Sequence, residues 1–223
     1  MAVVMTAMLV ACSDNKKSND ENVTVEATSE ESTIRINCML TVDAANRDKA
    51  IDLCKQLVAA SLGDEGVIDY DVLESATRPN KLMIFETWKD QASLDVHSAA
   101  AHFTRIVPQL ANAAVGEMAI QSFTKASEGN QIRINCLFKV AAENVTKILG
   151  LSKELVEASR KDGGNIDYDI YQSQTDPTKM MIFETWQDQP SLDTHSAAEH
   201  FTRIVPQLAE AAVGEMAIQT FKK

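Results

Sequence analysis

Positively charged side chains are few in this sequence. Its 223 residues include 21 Lys and Arg against 32 Asp and Glu, which gives a formal net charge of −11. A protein that binds nucleic acid needs a basic surface to neutralise the phosphates. The acidic balance therefore disfavours DNA or RNA as a partner.

Long apolar runs are also lacking. The apolar residues 1–12 are too short to span a bilayer as a stable helix, and they end in small residues, as a secretory signal does. The ending Leu9-Val10-Ala11-Cys12 resembles a bacterial lipobox, in which the cysteine is lipidated. We therefore expect an exported lipoprotein, periplasmic or cell-surface, that touches the membrane only through a lipid on Cys12. The alternative is a buried N-terminal segment, and no Lys or Arg precedes the run.

Residues 13–33 are polar and acidic, with almost no large apolar side chains. Such a segment cannot bury enough surface to offset its ordering entropy, so we expect a flexible tether. Cysteine is scarce too: Cys38, Cys54 and Cys136 remain after Cys12. An odd number cannot all pair internally, and buried free thiols are favoured over a disulfide.

The rest of the chain is a tandem repeat. Residues Ile34–Phe123 align with Ile132–Phe221 at an offset of 98, and 60 of the 90 aligned pairs are identical. This period is too long for a solenoid repeat, so each copy is expected to be a whole domain. The predicted domains are residues 34–124 and 132–223, joined by a polar linker at 125–131.

Each copy shows the same series of predicted elements. In the first copy they are a strand at Arg35–Val42, a helix at Ala45–Ser61, strands at Val67–Leu73 and Lys81–Trp88, a helical stretch at 91–114 and a strand at Glu117–Phe123. Pro108 should kink the helical stretch or divide it near Val107. The order β-α-β-β-α-β is that of a ferredoxin-like α+β fold, whose helices cover one face of a four-stranded antiparallel sheet. The bare face needs a cover, and the sheet of the other repeat can supply it.

One motif concentrates the chemically useful side chains. The stretch Glu86–Leu110 recurs as Glu184–Leu208, and these two stretches hold both tryptophans and all four histidines of the chain. Each begins at the end of an apolar strand and runs into a helix. An acid, an indole and two imidazoles are thereby expected at one strand–helix junction, which is the candidate site.

The string E-x-W-x-D-x-x-x-L-x-x-H-x-x-x-x-H-F, together with G-x-I-D-Y-D at Gly66–Asp71, resembles the antibiotic biosynthesis monooxygenase family. The resemblance covers both repeats and implies a dimeric α+β barrel, here formed as a pseudo-dimer within one chain. It also implies oxidation of phenols or quinols by molecular oxygen without a cofactor. A related branch binds and degrades haem through an asparagine, a tryptophan and a histidine. The matching residues are Asn37, Trp88 and His97, repeated as Asn135, Trp186 and His195.

Roles follow from the chemistry of these side chains. The imidazole of His97 suits a general base, because its ordinary pKa of roughly 6.5 lies near ambient pH. The Trp88 ring can stack on an aromatic substrate, and Asn37 or Arg105 can hold its anionic oxygen. Substrate-binding candidates are Tyr70, His102 and Arg105 with their counterparts Tyr168, His200 and Arg203.

For several of these side chains, a structural role is the alternative to a catalytic or binding role. A hydrogen bond from His97 to a backbone carbonyl or to Glu86 is as plausible as catalysis, and a structural bond is favoured over acid–base work for Glu86 itself. His102 lies about 140° further round a continuous helix than His97, so no metal site is expected. Asp69 and Asp71 are expected on a solvated face.

We therefore expect cofactor-independent oxidation of a small aromatic, phenolic or quinol molecule by molecular oxygen. The alternatives are a protein that binds or degrades haem and a non-catalytic ligand-binding or structural lipoprotein. The sequence also allows the chain to assemble into a higher homo-oligomer.

Overall fold

The computed structural model describes residues 33–124 and 129–222, and each repeat contributes four strands and three α-helices to that part of the chain. The first repeat comprises β1 (Ile34–Thr41), α1 (Arg47–Ser61), β2 (Val67–Ser75), β3 (Lys81–Trp88), α2 (Gln91–Ala99), α3 (Ala101–Ala113) and β4 (Ala119–Phe123). The second comprises β5 (Ile132–Lys139), α4 (Val145–Ser159), β6 (Asn165–Ser173), β7 (Lys179–Trp186), α5 (Gln189–Ser196), α6 (Glu199–Ala211) and β8 (Ala217–Lys222). The predicted βαββαβ order is confirmed in both copies.

All eight strands form one sheet in the order β4-β1-β3-β2-β6-β7-β5-β8. The repeats join where β2 pairs antiparallel with β6, in the register Leu73↔Ser173 to Ser75↔Tyr171. The sheet then curls, so that Asn37 Nδ2 donates to Asn135 Oδ1 at 3.1 Å and the rings of Phe123 and Phe221 stack with centroids 4.9 Å apart. These contacts join strands far apart in the sheet order, and the expected barrel within one chain is confirmed.

The two faces of the curled sheet carry different cores. Side chains such as Ile36, Ile84 and Trp88 pack against the helices. The opposite face lines the barrel interior, where Phe85 and Phe183 belong to one buried cluster drawn from both repeats. The second sheet thus covers the apolar face that the helices of one repeat leave bare.

The long helical stretch is interrupted, although not at the predicted place. The break falls at Ala100, whose backbone is extended (φ −65°, ψ 147°), and α3 continues through Pro108 to Ala113. Pro108 cannot donate a backbone hydrogen bond to Thr104, but its ring fixes a φ that a helix accepts, and the flanking turns carry on. The expected division near Val107 is therefore wrong.

The two aspartates of the Gly66–Asp71 motif do not share the expected solvated face. Asp69 is half-buried, and Asp71 is buried at the junction of β2 and β6. Asp71 accepts hydrogen bonds from Ser173 and Thr175 at 3.1 and 2.7 Å, and Lys179 Nζ lies 3.2 Å away. The second repeat sits over this strand edge, which a single copy would expose.

Cys38, Cys54 and Cys136 are buried free thiols, as expected. Among the described residues, no helix has both the length and the apolar character needed to cross a bilayer. The predicted signal, the tether and Cys12 lie outside the described residues, and so does 125–128 of the predicted linker.

Candidate functional site

The strand–helix junction at the end of β3 is built by local capping and a close backbone approach. Asp90 caps α2 by accepting a hydrogen bond from the Ser93 backbone N–H at 2.8 Å. Gly66, at the start of β2, has a φ of +81°, and a Cβ there would stand 2.0 Å from Ser93 Oγ. Only glycine fits this position. The junction is thereby fixed against β2, and α2 carries His97 back over the sheet.

The Trp88 side chain links the carboxyl of Glu86 to the imidazole of His97. Its indole Nε1–H donates to Glu86 Oε2 at 2.8 Å, and its ring packs on His97 with centroids 4.4 Å apart. All three side chains are buried on the helix side of the sheet. The second repeat repeats the arrangement, with Trp186 Nε1 donating to Glu184 Oε2 at 2.7 Å.

Glu86 is a buried carboxyl, and no cation of residues 33–124 or 129–222 lies within hydrogen-bond distance of it. Burial raises the pKa of Glu86 to about 7, and the indole N–H of Trp88 and the hydroxyl of Tyr70 oppose that rise. Burial likewise raises the pKa of Glu184 to about 7. Both carboxyls can therefore exchange a proton near neutral pH, which an ordinary surface glutamate does not do.

A cavity of about 230 Å³ lies between the sheet of the first repeat and its helices α2 and α3. Its walls are mostly apolar, and Glu86 and Tyr70 supply buried polar groups. The Tyr70 hydroxyl is buried and makes no hydrogen bond of full geometry with the described residues, but it lies close enough to the Glu86 carboxyl to favour the charged form of that group. The lining residues are Ile36, Cys38, Leu57, Tyr70, Ile84, Glu86, Gln91, Leu94, Asp95, Ser98, Phe103, Val107, Leu110, Met118 and Ile120.

His97 lies behind this cavity and is not part of its lining. Its Nδ1 is 2.7 Å from Asp64 Oδ2, and its buried Nε2 has no partner and lies 4.0 Å from Glu86 Oε2. Burial lowers the pKa of His97 more than Asp64 raises it, so the imidazole is neutral at neutral pH. Sequence reasoning found His97 and missed Asp64, although Asp162 takes its place in the second repeat.

The break at Ala100 brings His102 to the same carboxylate. His102 Nε2 lies 3.0 Å from Asp64 Oδ2, so the angle of about 140° expected for a continuous helix does not apply. The ligand atoms of Asp64, His97 and His102 lie within 4.8 Å of one another, close enough for one metal ion. The same distances also suit a carboxylate in polar contact with two imidazole rings.

Two other predicted site residues lie elsewhere. Asn37 points into the barrel interior and bonds to Asn135, on the opposite face of the sheet from Trp88. Arg105 is exposed on α3 and does not line the cavity; its counterpart Arg203 pairs with Glu154 on the surface at 2.6 Å. The Asn–Trp–His set that the haem branch needs is therefore not brought together.

The second repeat carries the same residue at all fifteen positions that line the cavity, from Ile134 to Ile218. Other buried positions on the same face differ between the copies, for example Leu40 and Phe138 or Leu82 and Met180. The second repeat therefore contains the same set of side chains that lines the first cavity, including Tyr168 and Glu184.

The antibiotic biosynthesis monooxygenase family model matches the chain twice, over residues 33–109 and 132–207. An uncharacterised protein of Synechocystis, sll1783, is 26% identical over 84 residues, which are 38% of this chain and 57% of that protein. The chain thus spans less than two thirds of the length of sll1783. YcnE of Bacillus subtilis, provisionally named a monooxygenase, is 30% identical over 74 residues, which are 33% of this chain and 78% of YcnE.

Among solved structures, a conserved Bacteroides thetaiotaomicron protein of unknown function is 41% identical. The match covers 42% of this chain and 98% of that protein, with a TM-score of 0.40. Because the family model matches both repeats and more than half of the chain, the relationship does not depend on any single relative. The chain belongs to the antibiotic biosynthesis monooxygenase family, which supports a general monooxygenase-like function and leaves the substrate unnamed.

Proposed function

We propose that each repeat oxidises a small phenol or hydroquinone with molecular oxygen, without a cofactor, using Glu86 or Glu184 as the base. The observation that carries this proposal is a mostly apolar cavity with one buried carboxyl in its wall. Asp95, the other carboxyl in the lining, is exposed on α2. We place the base at Glu86 rather than His97, because the imidazole does not line the cavity.

The size of the cavity favours a substrate with one or two rings. An apolar cavity of about 150 Å³ admits benzene, so 230 Å³ leaves room for little more than a second ring. A haem does not fit these residues, since Asn37 lies across the sheet. Walls such as Ile84 and Phe103 suit the flat faces of an aromatic ligand.

The buried groups suit removal of a phenolic proton. A base with a pKa of about 7 is well matched to work at neutral pH. Once the carboxylate of Glu86 has taken the proton, the buried hydroxyl of Tyr70 beside it can donate to the phenolate oxygen. The ring is then electron-rich and held in a dry site, where it can pass electrons to oxygen.

The overall reaction balances without a further reductant. A hydroquinone loses its two O–H hydrogens and two electrons to O₂, which yields the quinone and hydrogen peroxide. A phenol with a free para C–H loses its O–H and C–H hydrogens and gains one oxygen atom at the para carbon, which yields a quinone. The second oxygen atom leaves as water with those two hydrogens. For such a phenol, four electrons pass from the substrate to O₂, and Glu86 gives up the proton it has taken before the next turnover.

The test is oxygen uptake with a panel of naphthols and hydroquinones. The double variant Glu86→Gln, Glu184→Gln should lower turnover by about a hundredfold or more, the usual contribution of a positioned base. Calorimetry should show that the variant still binds the same compounds. The matched control is Arg105→Ala with Arg203→Ala, at exposed positions outside the lining, which should leave turnover unchanged.

Unchanged turnover in the glutamine variant would remove the carboxyls from the mechanism. Binding of the compounds by the wild-type protein with no oxygen uptake would favour the non-catalytic ligand-binding protein instead.

A further inference from the structure

We propose that Glu86 exchanges its proton with solvent through His97, Asp64 and His102, on the side away from the cavity. This inference rests on the proposed function only in taking Glu86 as the base. Asp64 and His102 would then be positioning residues, which act on the carboxyl through His97 and touch no substrate.

The four side chains form a continuous series from the buried carboxyl to the surface. Glu86 Oε2 lies 4.0 Å from His97 Nε2, His97 Nδ1 lies 2.7 Å from Asp64 Oδ2, and His102 Nε2 lies 3.0 Å from the same oxygen. The His97 side chain is fully buried, whereas those of Asp64 and His102 are 20% and 17% exposed. The series therefore begins in the protein interior and ends in contact with water.

The protonation state of His97 fits a relay. Neutral imidazole carries one N–H, and the contact with Asp64 places it on Nδ1. The bare Nε2 then faces Glu86 and has no other partner. A movement of about 1 Å would bring Nε2 within hydrogen-bond distance of the carboxyl.

Each transfer moves protons and no electrons. The Glu86 O–H bond breaks as an N–H bond forms at His97 Nε2, while the Nδ1–H bond breaks and an O–H bond forms on Asp64. Asp64 then passes its proton to His102 Nε2, and the N–H at His102 Nδ1 releases a proton to water. The reverse shift returns His97 to its starting tautomer.

No other group around Glu86 offers a comparable route at neutral pH within the described chain. Burial raises the pKa of Cys38, from β1, to about 11, and burial also raises the pKa of Tyr70, from β2. Asp95, from α2, lies at the exposed side of the cavity. An aromatic ligand in the cavity would separate Glu86 from the water on that side, so the contact with His97 remains.

The second repeat contains the same series at nearly the same distances. Glu184 Oε2 lies 3.9 Å from His195 Nε2, His195 Nδ1 lies 2.7 Å from Asp162 Oδ2, and His200 Nε2 bonds to that oxygen at 3.0 Å. Two copies that differ at a third of their aligned positions thus share every member of the relay.

The chain supplies its own reporter for a test without substrate. Its two tryptophans are Trp88 and Trp186, and each donates its indole N–H to one of the two carboxyls. A stopped-flow jump from about pH 6 to about pH 8, on either side of the pKa of Glu86, should change the tryptophan fluorescence as the carboxyls ionise. The double variant Glu86→Gln, Glu184→Gln should lose that change.

The decisive variant is Asp64→Asn with Asp162→Asn. It should slow the fluorescence relaxation by about tenfold or more, because the amide cannot accept the proton. Asp64→Glu with Asp162→Glu should restore much of the rate, which a purely structural role of the aspartate would not require. If the asparagine variant does not fold, His102→Gln with His200→Gln tests the exposed end and should slow the relaxation severalfold.

A relaxation as fast as wild type in the folded Asp64→Asn, Asp162→Asn variant would overturn the relay. If that variant does not fold, the same result in the His102→Gln, His200→Gln variant would overturn it. So would a wild-type fluorescence that does not change with pH. A failure to find any oxidised phenol would count against the proposed function alone, because this experiment contains no substrate.

Discussion

The two repeats differ mainly at exposed positions and at some buried positions whose side chains only fill space, and they do not differ at the residues that line the cavity. All fifteen lining residues are the same in both copies, whereas nearby buried pairs such as Ala50 and Ile148 differ. Hydrophobic cores accept substitutions when the total volume is kept. A cavity that holds a ligand must also keep its shape and its polar groups. The comparison indicates that both copies retain the same site.

The repeats also differ where they meet. Asp71 and Asp169 are equivalent and buried, but their charges are balanced differently. Lys179 is the one cation within 4.0 Å of Asp71 among the described residues, whereas Arg78 and Arg160 both approach Asp169, at 3.4 and 3.3 Å. The barrel is therefore a pseudo-dimer with an asymmetric joint.

The largest expected effect tests whether the buried carboxyls of Glu86 and Glu184 are equivalent. Glu86→Gln and Glu184→Gln should each raise the free energy of unfolding near pH 8 by on the order of 3 kcal/mol and change it little near pH 5. The folded pKa of each carboxyl is about 7, above its ordinary value of 4.5. The stability of the wild type therefore falls as pH rises from about 4.5 to about 7, and glutamine stays neutral throughout.

Urea unfolding of both single variants and the wild type at the two pH values measures this effect. Burial lowers the pKa values of His97 and His195, so their contribution to the stability of the protein is lost as pH falls through about 6.5, opposite to the effect of the glutamates. Both histidines are present in the wild type and in each variant, so this contribution is common to all three proteins. Unequal effects of the two substitutions would show that the two buried carboxyls are not equivalent.

A smaller effect should distinguish the two sides of the joint. Lys179→Met should lower the free energy of unfolding by about 2 kcal/mol, because Asp71 loses its neighbouring cation but still accepts hydrogen bonds from Ser173 and Thr175. Arg78→Met should cost about 1 kcal/mol, because Asp169 keeps Arg160. Chemical denaturation of the two variants in parallel gives the comparison. Equal costs would mean that the asymmetric contacts have no energetic consequence.

The smallest expected effect concerns one differing core pair. Cys54 and Ser152 are equivalent and fully buried on their helices, and the Ser152 hydroxyl has no hydrogen-bond partner. Exchanging Ser152 for Cys should raise the free energy of unfolding by about 1 kcal/mol, and Cys54→Ser should lower it by a similar amount. Thermal unfolding under reducing conditions checks both. If each substitution changed the free energy of unfolding with the opposite sign, the Ser152 hydroxyl would have a hydrogen-bond partner in the folded protein in solution.

Much of the fold follows from local pattern. The alternation in β1, the apolar run of β3 and the offset of 98 between copies were enough to predict two βαββαβ units and their barrel. The break at Ala100 was not predictable in this way, because alanine favours helix and Pro108 offered a stronger local signal. Packing at the strand–helix junction overrides both preferences.

The sequence by itself determined which side chains the site contains: the motif holds Glu86, Trp88, His97 and His102 in each copy. Only the tertiary structure decided how they are used. Alternation along a strand assigns Trp88 and Asn37 each to one face of the sheet, but it does not say which face meets the helices. In the structure the helices pack on the face of Trp88, and Asn37 therefore points into the barrel interior. Asp64 joined the site because the chain brings the end of α1 to the α2–α3 break, a contact between residues 33 positions apart that no local pattern encodes.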